Sequence, residues 1–318
     1  MSTETETPPR RGYVDRLRAS PFLSELFRNR IALLGLTIII LLVLVGVGSR
    51  LLLDVEALMK PQLSEGGTSM AGPCGERALT EILPAAFDGC AHPFGTDIHA
   101  RDIFLRTQYG AWLALKFGTI TVVTATVLGV IFGVVAAYYG DVVDNTIMRT
   151  MDVLLAFPSL LLALALVAIL GSGLWKAVLA LILVYTPQFA RVVRGAALKV
   201  IEDEYVDATV ALGATDVRVL GRHVVPNTLA PITVQATLTY GLTIIDLAAL
   251  SFLGFGASPG TPDWGIMLSE GVDSGLYSGH WWWSFFPGLY LAIAVLGFNL
   301  LGDGMRDALD PRMRSAID

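Results

Sequence analysis

IALLGLTIIILLVLVGVGS, residues 31–49, contains no charged side chain. A helix needs roughly 20 such residues to cross about 30 Å of hydrocarbon, and this stretch has that length. It lies too far from the start, and lacks the short apolar core and small-residue cleavage site, to be a cleaved signal peptide. Three more charge-free runs follow at 117–140, 153–175 and 281–302. Two others are less clean: 177–190 is short, and 229–255 is interrupted only by Asp246. The 318-residue chain is 54% hydrophobic and 16% charged, against about 25% charged in an average soluble domain. The expectation is an all-α integral membrane protein with six transmembrane helices and a long loop after the first.

Basic residues give the orientation. Arg10, Arg11, Arg16, Arg18, Arg28 and Arg30 precede the first span. With six spans both termini share one side, and the positive-inside rule makes that side cytoplasmic. Segment 191–228 carries Arg191, Arg194, Lys199, Arg218 and Arg222, whereas 251–283 holds Asp263, Glu270 and Asp273 but no Lys or Arg. The expected layout is an Arg-rich cytoplasmic lead at 1–30, a first helix at 31–53 and an outer loop at 54–111. A core of five helices at 112–303 and a cytoplasmic tail at 304–318 complete it. Within the lead, residues 20–29 read as a short helix lying on the inner membrane surface.

Cys74 and Cys90 both fall in the outer loop. On the oxidising side of a membrane such a pair either closes a disulfide or stays as two thiols. With only His92 and His99 nearby, no metal site is expected. The chain has no G-x-x-x-x-G-K-[ST] loop to cradle nucleotide phosphates and no H-E-x-x-H helix. It is therefore not expected to be an enzyme, to bind a cofactor or to contact nucleic acid. An ionisable group inside a span is costly and usually functional. Asp246 is the one that qualifies, and it either reaches interfacial water, pairs within the bundle or relays protons.

The segment between the fourth and fifth spans is the most specific. It reads EDEYVDATVALGAT, residues 202–215. Its acidic start complements a helix N-terminus and Gly213 suits the C-terminal cap. This predicts a short helix at about 203–214, with Ala208 and Ala211 leaving a low-relief surface. It is either a docking element for a partner's groove or an amphipathic connector. RHVVPN, residues 222–227, then leads into the next span.

This segment resembles the EAA loop of ABC importer permeases: E-A-A, three residues, Gly, nine residues, Ile, one residue, Leu-Pro. Asp207, Ala208 and Thr209 stand at E-A-A, Gly213 at the Gly, and His223, Val225 and Pro226 at the Ile, Leu and Pro. RHVVPN is similar to the R-H-x-L-P-N of the dipeptide/oligopeptide branch. HPFGTD at 92–97 followed by Arg101-Asp102 resembles H-P-F-G-T-D-x-x-G-R-D of the C-type subunit, with Ala100 in place of the Gly. YYG with Asp144 and MRTMD, ARVVRG at 190–195, LSFLGFG at 250–256 with DWG at 263–265, and NLLGDGMRDALDPR at 299–312 resemble further phrases of that subunit. Together they cover about residues 92–312.

The resemblance implies a type I ABC importer permease in the cytoplasmic membrane. Its partners would be a homologous second permease, two ATP-binding cassette subunits that hold ATP and Mg, an extracytoplasmic binding protein, a peptide cargo and the lipid bilayer. It implies coupling to the ATPases through Asp207, Ala208 and Gly213, with Arg222 and Pro226 behind them. Asp207 would either pair with a basic ATPase residue or cap its own helix. Leu250, Ser251, Gly254, Trp264 and Gly265 would shape an outer gate or make a glycine-rich return to the last span. Nickel, glutathione or an antimicrobial peptide are alternative cargoes, and a secondary transporter is the alternative class.

Overall fold

A computed structural model describes residues 29–62, 69–73 and 92–309. Cys74, Cys90, the expected surface helix and both terminal segments beyond these bounds lie outside the described residues. The chain is helical, and among the described residues the β-structure is an isolated bridge between Thr96 and Asp102.

Helix α1 (Arg30–Leu52) opens on Asn29, whose side chain accepts from the Ile31 and Ala32 amides, satisfying two of the donors that a helix start leaves free. Its leucines and isoleucines are largely exposed, while Ala32, Gly35, Gly46 and Ser49 are buried. That division suits lipid on one side and close packing through small residues on the other. A short α2 (Val55–Met59) follows. Helix α3 (Ile103–Tyr139) begins well inside the expected outer loop, capped by Asp102. It crosses α6 (Leu174–Ile201) where Gly129 and Gly133 let the backbones meet. A Cβ on Gly133 would lie 2.6 Å from the Ala190 carbonyl oxygen.

The expected span at 153–175 is not one helix. It breaks between α4 (Asp141–Leu155) and α5 (Ser159–Leu170), which meet at 92°. Pro158 disfavours helical conformation in the residue before it and cannot donate to the ladder. Five helices are long and apolar enough to cross a membrane, and the bent pair brings the number to six if counted as one span.

After α6 come α7 (Glu204–Ala211), α8 (Asp216–Val219), a π-turn at Leu220–Val224 and α9 (Val225–Phe252). The last three form one continuous rod. The π-turn stands just before Pro226, where the missing N–H disrupts regular α-bonding and a wider turn accommodates it. Helix α10 (Trp264–Glu270) and two short turns lead to α11 (Trp282–Leu309).

Contacts fix the directions. Gly304, near the end of α11, lies against Ala32 at the start of α1, and Gly297 lies against Ile38. These helices are therefore antiparallel, and both ends of the described chain share one face. Val134 and Ala137 at the end of α3 and Val193 and Ala197 near the end of α6 meet Val206 of α7, Val219 and Val224. The end of α3, the end of α6, α7 and the start of α9 thus gather at one end of the bundle. At the opposite end Trp282 and Trp283 pack with Ile103 and Met267.

Candidate functional site

Helix α7 is held from below and open above. Val206 is 2% exposed and is its buried anchor. Beside it the Tyr205 hydroxyl accepts from Asn227 Nδ2 at 2.9 Å, and the same amide donates to the His223 carbonyl at 2.7 Å. Asp207, Ala208 and Ala211 are exposed, and Leu212 is 89% exposed. The helix ends in a Schellman motif: the Gly213 amide donates to the Val210 carbonyl at 2.8 Å and the Ala214 amide to that of Thr209 at 3.3 Å. Gly213 has φ +81, as this cap requires.

The N-cap position falls on Asp203, which makes no side-chain cap bond, while Asp207 lies a turn inside. Among the described residues Asp207 has no hydrogen-bond or ion-pair partner, and neither has Arg222. Both are exposed, as is Pro226. The surface therefore offers an unpaired carboxylate, an unpaired guanidinium and apolar side chains on a short element with a fixed end.

At the opposite end the five expected gate residues are brought together, but as a packed corner. Leu250 and Ser251 are fully buried and Trp264 nearly so. Trp264 Nε1 donates to the Thr107 carbonyl at 2.8 Å, and a Cβ on Gly265 would collide with the Ala248 carbonyl. Gly254, at φ +83, turns the chain out of α9, and the Ser251 hydroxyl accepts from the Ala257 amide at 3.1 Å. Asp263 caps α10 through the Gly265 and Ile266 amides. Its carboxyl is pushed above the ordinary range, chiefly because burial disfavours its charged form.

Around this corner runs a polar clamp that the linear sequence does not reveal. Arg106, 0% exposed, donates through Nη1 to the carbonyls of Leu58 at 3.0 Å and Gly260 at 3.1 Å. Arg101 bonds Asp97 at 2.6 Å and Glu270 at 3.1 Å, and Glu270 accepts from the Gly260 amide. The HPFGTD…RD phrase thereby straps α3 to the loop before α10. Ala100 keeps the left-handed turn expected of a glycine, at φ +59.

The family of binding-protein-dependent transport system inner membrane components matches residues 129–315. The chain belongs to this family. It is 40% identical, over 99% of its own length and 97% of the relative's, to the dipeptide transport system permease protein DppC of Alkalihalophilus pseudofirmus. Over 71% of the chain and 74% of the relative it is 43% identical to the glutathione transport system permease protein GsiD of Pectobacterium atrosepticum. Among solved structures, an inward-facing form of the methionine ABC transporter MetNI superposes with a TM-score of 0.51 at 20% identity. That likeness covers 65% of this chain and 97% of that one, and it concerns the fold. The class is therefore an ABC importer permease, not a secondary transporter.

Two of this permease's family phrases prove to be partners. Arg194 of ARVVRG makes a bidentate pair with Asp144, both bonds 2.5 Å, and Arg191 bonds Asp152 at 2.6 Å. These pairs tie α4, whose buried residue is Met151, to α6. Inside the bundle the Tyr185 hydroxyl donates to Asp246 at 2.7 Å, so Asp246 pairs with a neighbouring helix. GASPG at 256–260 spells the G-x-S-x-G of serine hydrolases, yet Ser258 sits on an exposed loop with no strand before it. Among the described residues no group of three His, Cys, Asp or Glu side chains could hold a metal ion.

Proposed function

We propose that this permease imports dipeptides or short oligopeptides and takes its energy from partner ATPases that dock on α7. The observation that carries the docking surface is the exposed face of α7, closed by its Schellman motif and anchored by Val206. A rigid, short helix seated on the bundle transmits a push that a flexible connector would absorb. Asp207 and Arg222 supply opposite charges for partner side chains, Ala208 allows close approach, and Gly213 and Pro226 fix where the segment ends and the next rod begins.

In this reading the α7 face is cytoplasmic, both termini lie on that side, and the membrane is the inner one. The core at 112–303 forms half of the path beside a second permease, with 1–30 and 304–318 as cytoplasmic extensions. ATP and Mg belong to the cassette subunits. The loop at 54–111 and the corner built on Leu250, Ser251, Gly254, Trp264 and Gly265 receive an extracytoplasmic binding protein, the corner serving as the fixed side of an outer gate. A disulfide between Cys74 and Cys90 belongs to this reading; labelling of both by a thiol reagent in unreduced cells would sink that part alone. Peptide cargo rests on the relatives' names, and glutathione is the second reading because a glutathione permease is also similar, over a shorter share of the chain.

The test is reconstitution with the second permease, the ATPases and the binding protein, measuring ATP-dependent uptake of radiolabelled dialanine and of glutathione. Asp207→Lys reverses the charge near a helix start and should abolish uptake while reducing recovery of the ATPases at equal membrane abundance. Unchanged uptake and recovery would show that α7 is a connector.

A further inference from the structure

Tyr138 and Tyr139 close α3, and both bind one carboxylate. The Tyr138 hydroxyl donates to Asp216 Oδ1 at 3.0 Å and the Tyr139 hydroxyl to Asp216 Oδ2 at 3.1 Å. Neighbouring side chains on a helix diverge by roughly 100° and do not ordinarily face one partner. Here the two rings stand edge-on, 5.3 Å apart at 89°, and the helix stops at once at Gly140, φ +59. Asp216 is the first residue of α8. It lies two positions beyond Ala214, whose amide completes the cap of α7. The clasp therefore sits at the joint between the docking helix and the rod of α8 and α9. Among the described residues it is the hydrogen-bonded link from that joint to α3.

Three features separate this clasp from ordinary packing. Its bonds are exposed, so water competes for them and they add little to the stability of the fold. The helix it holds is central: α3 packs on α6 through Gly129 and Gly133, on α1 near Gly46, and on α9 through Tyr240. Both hydrogen bonds lie in exposed surroundings, so the link can open and close without leaving a buried group unpaired.

We propose that Asp216, gripped by Tyr138 and Tyr139, is a positioning residue that passes movement of the ATPase-docking segment to α3. Without the clasp a push on α7 still reaches α6 and α9, but the joint keeps no hydrogen bond of its own to α3 among the described residues, and α3 follows through its packing and the distant Tyr240 contact. This rests on the docking reading above and names the element through which that docking acts on the bundle.

The experiment uses the complete transporter in proteoliposomes, with Tyr138→Phe, Tyr139→Phe and the double variant. Phenylalanine keeps the rings and their packing, so the chain should reach the membrane and co-purify with its ATPases as the parent does. ATP hydrolysis should persist while dialanine transported per ATP falls by about tenfold in the double variant, within the usual span of a coupling between two sites. Each single variant should fall less, and Asp216→Asn, which retains one acceptor oxygen, should lie between. An unchanged ratio with normal co-purification overturns the clasp alone. So does a proportional loss of hydrolysis and transport, which is what a purely structural role gives. Failure of the ATPases to co-purify with the unaltered chain would overturn the docking reading and the clasp with it.

Discussion

Gly213→Val isolates the contribution of the α7 cap. Gly213 holds φ +81 and a Cβ built on it meets nothing within 4 Å, so the replacement adds no clash. Its cost is the backbone alone: an L-residue in the left-handed region loses roughly 1–2 kcal/mol, and a β-branched one is a stronger outlier there. A penalty of that size shifts a two-state equilibrium by a factor of about 5–30. The cap would open, releasing the Gly213 and Ala214 amides from their carbonyls and fraying the exposed end of α7. The lipid-facing spans are untouched, so membrane abundance should match the parent. Uptake and ATPase co-purification, normalised to abundance, should fall in the order Gly, Asn, Ala, Val, because Asn tolerates the left-handed region best of the three. Parental uptake by the valine variant at equal abundance would refute the cap as part of the coupling surface. A loss that ignored the order would mean that side-chain bulk is responsible.

Gly133→Leu should prevent stable packing of α3 on α6, because its Cβ would already stand 2.6 Å from the Ala190 carbonyl oxygen. Overpacking of this kind costs about 1–3 kcal/mol or more, and a lowered midpoint of thermal unfolding in detergent is the expected reading. Asp263→Asn should stabilise the outer corner at neutral pH. Burial raises the Asp263 carboxyl in the folded chain, so the folded state binds the proton more tightly than the unfolded one. The favourable contribution is complete below the unfolded value of about 3.9 and disappears as pH rises through the raised folded value. The asparagine variant should gain on the parent as pH rises above the unfolded value of about 3.9, until the carboxyl ionises in the folded chain as well, whereas parallel unfolding profiles would contradict this.

Hydropathy exposed the spans at 31–49 and 281–302 because neither run contains a charged side chain. It missed the first turns of α3 because Lys116 and Arg106 count as charged, although the Arg106 guanidinium is spent on the Leu58 and Gly260 carbonyls. A scale that weighs residues singly cannot see that a donor is satisfied by backbone 48 and 154 positions away. It also merged α4 and α5, since an apolar run has length but no direction. Pro158 lay inside that run and was the local sign of the bend.

Helix α7 was legible for the opposite reason. Its start, its apolar anchor and its glycine stop are all local, within residues 203–214, and local signals survive without a fold. What could not be read is what the helix is fastened to. Asp216 belongs to none of the quoted phrases, and Tyr138 and Tyr139 enter only through YYG, 78 and 77 positions away. Asp144 and Arg194 were quoted as parts of separate phrases and met only in space. In each case a carboxylate on one segment answers donors on another, and the apolar packing beneath would be possible without it. Packing sets which helices touch; these polar pairs add specific links between segments far apart in sequence, and the proposed coupling relies on such links.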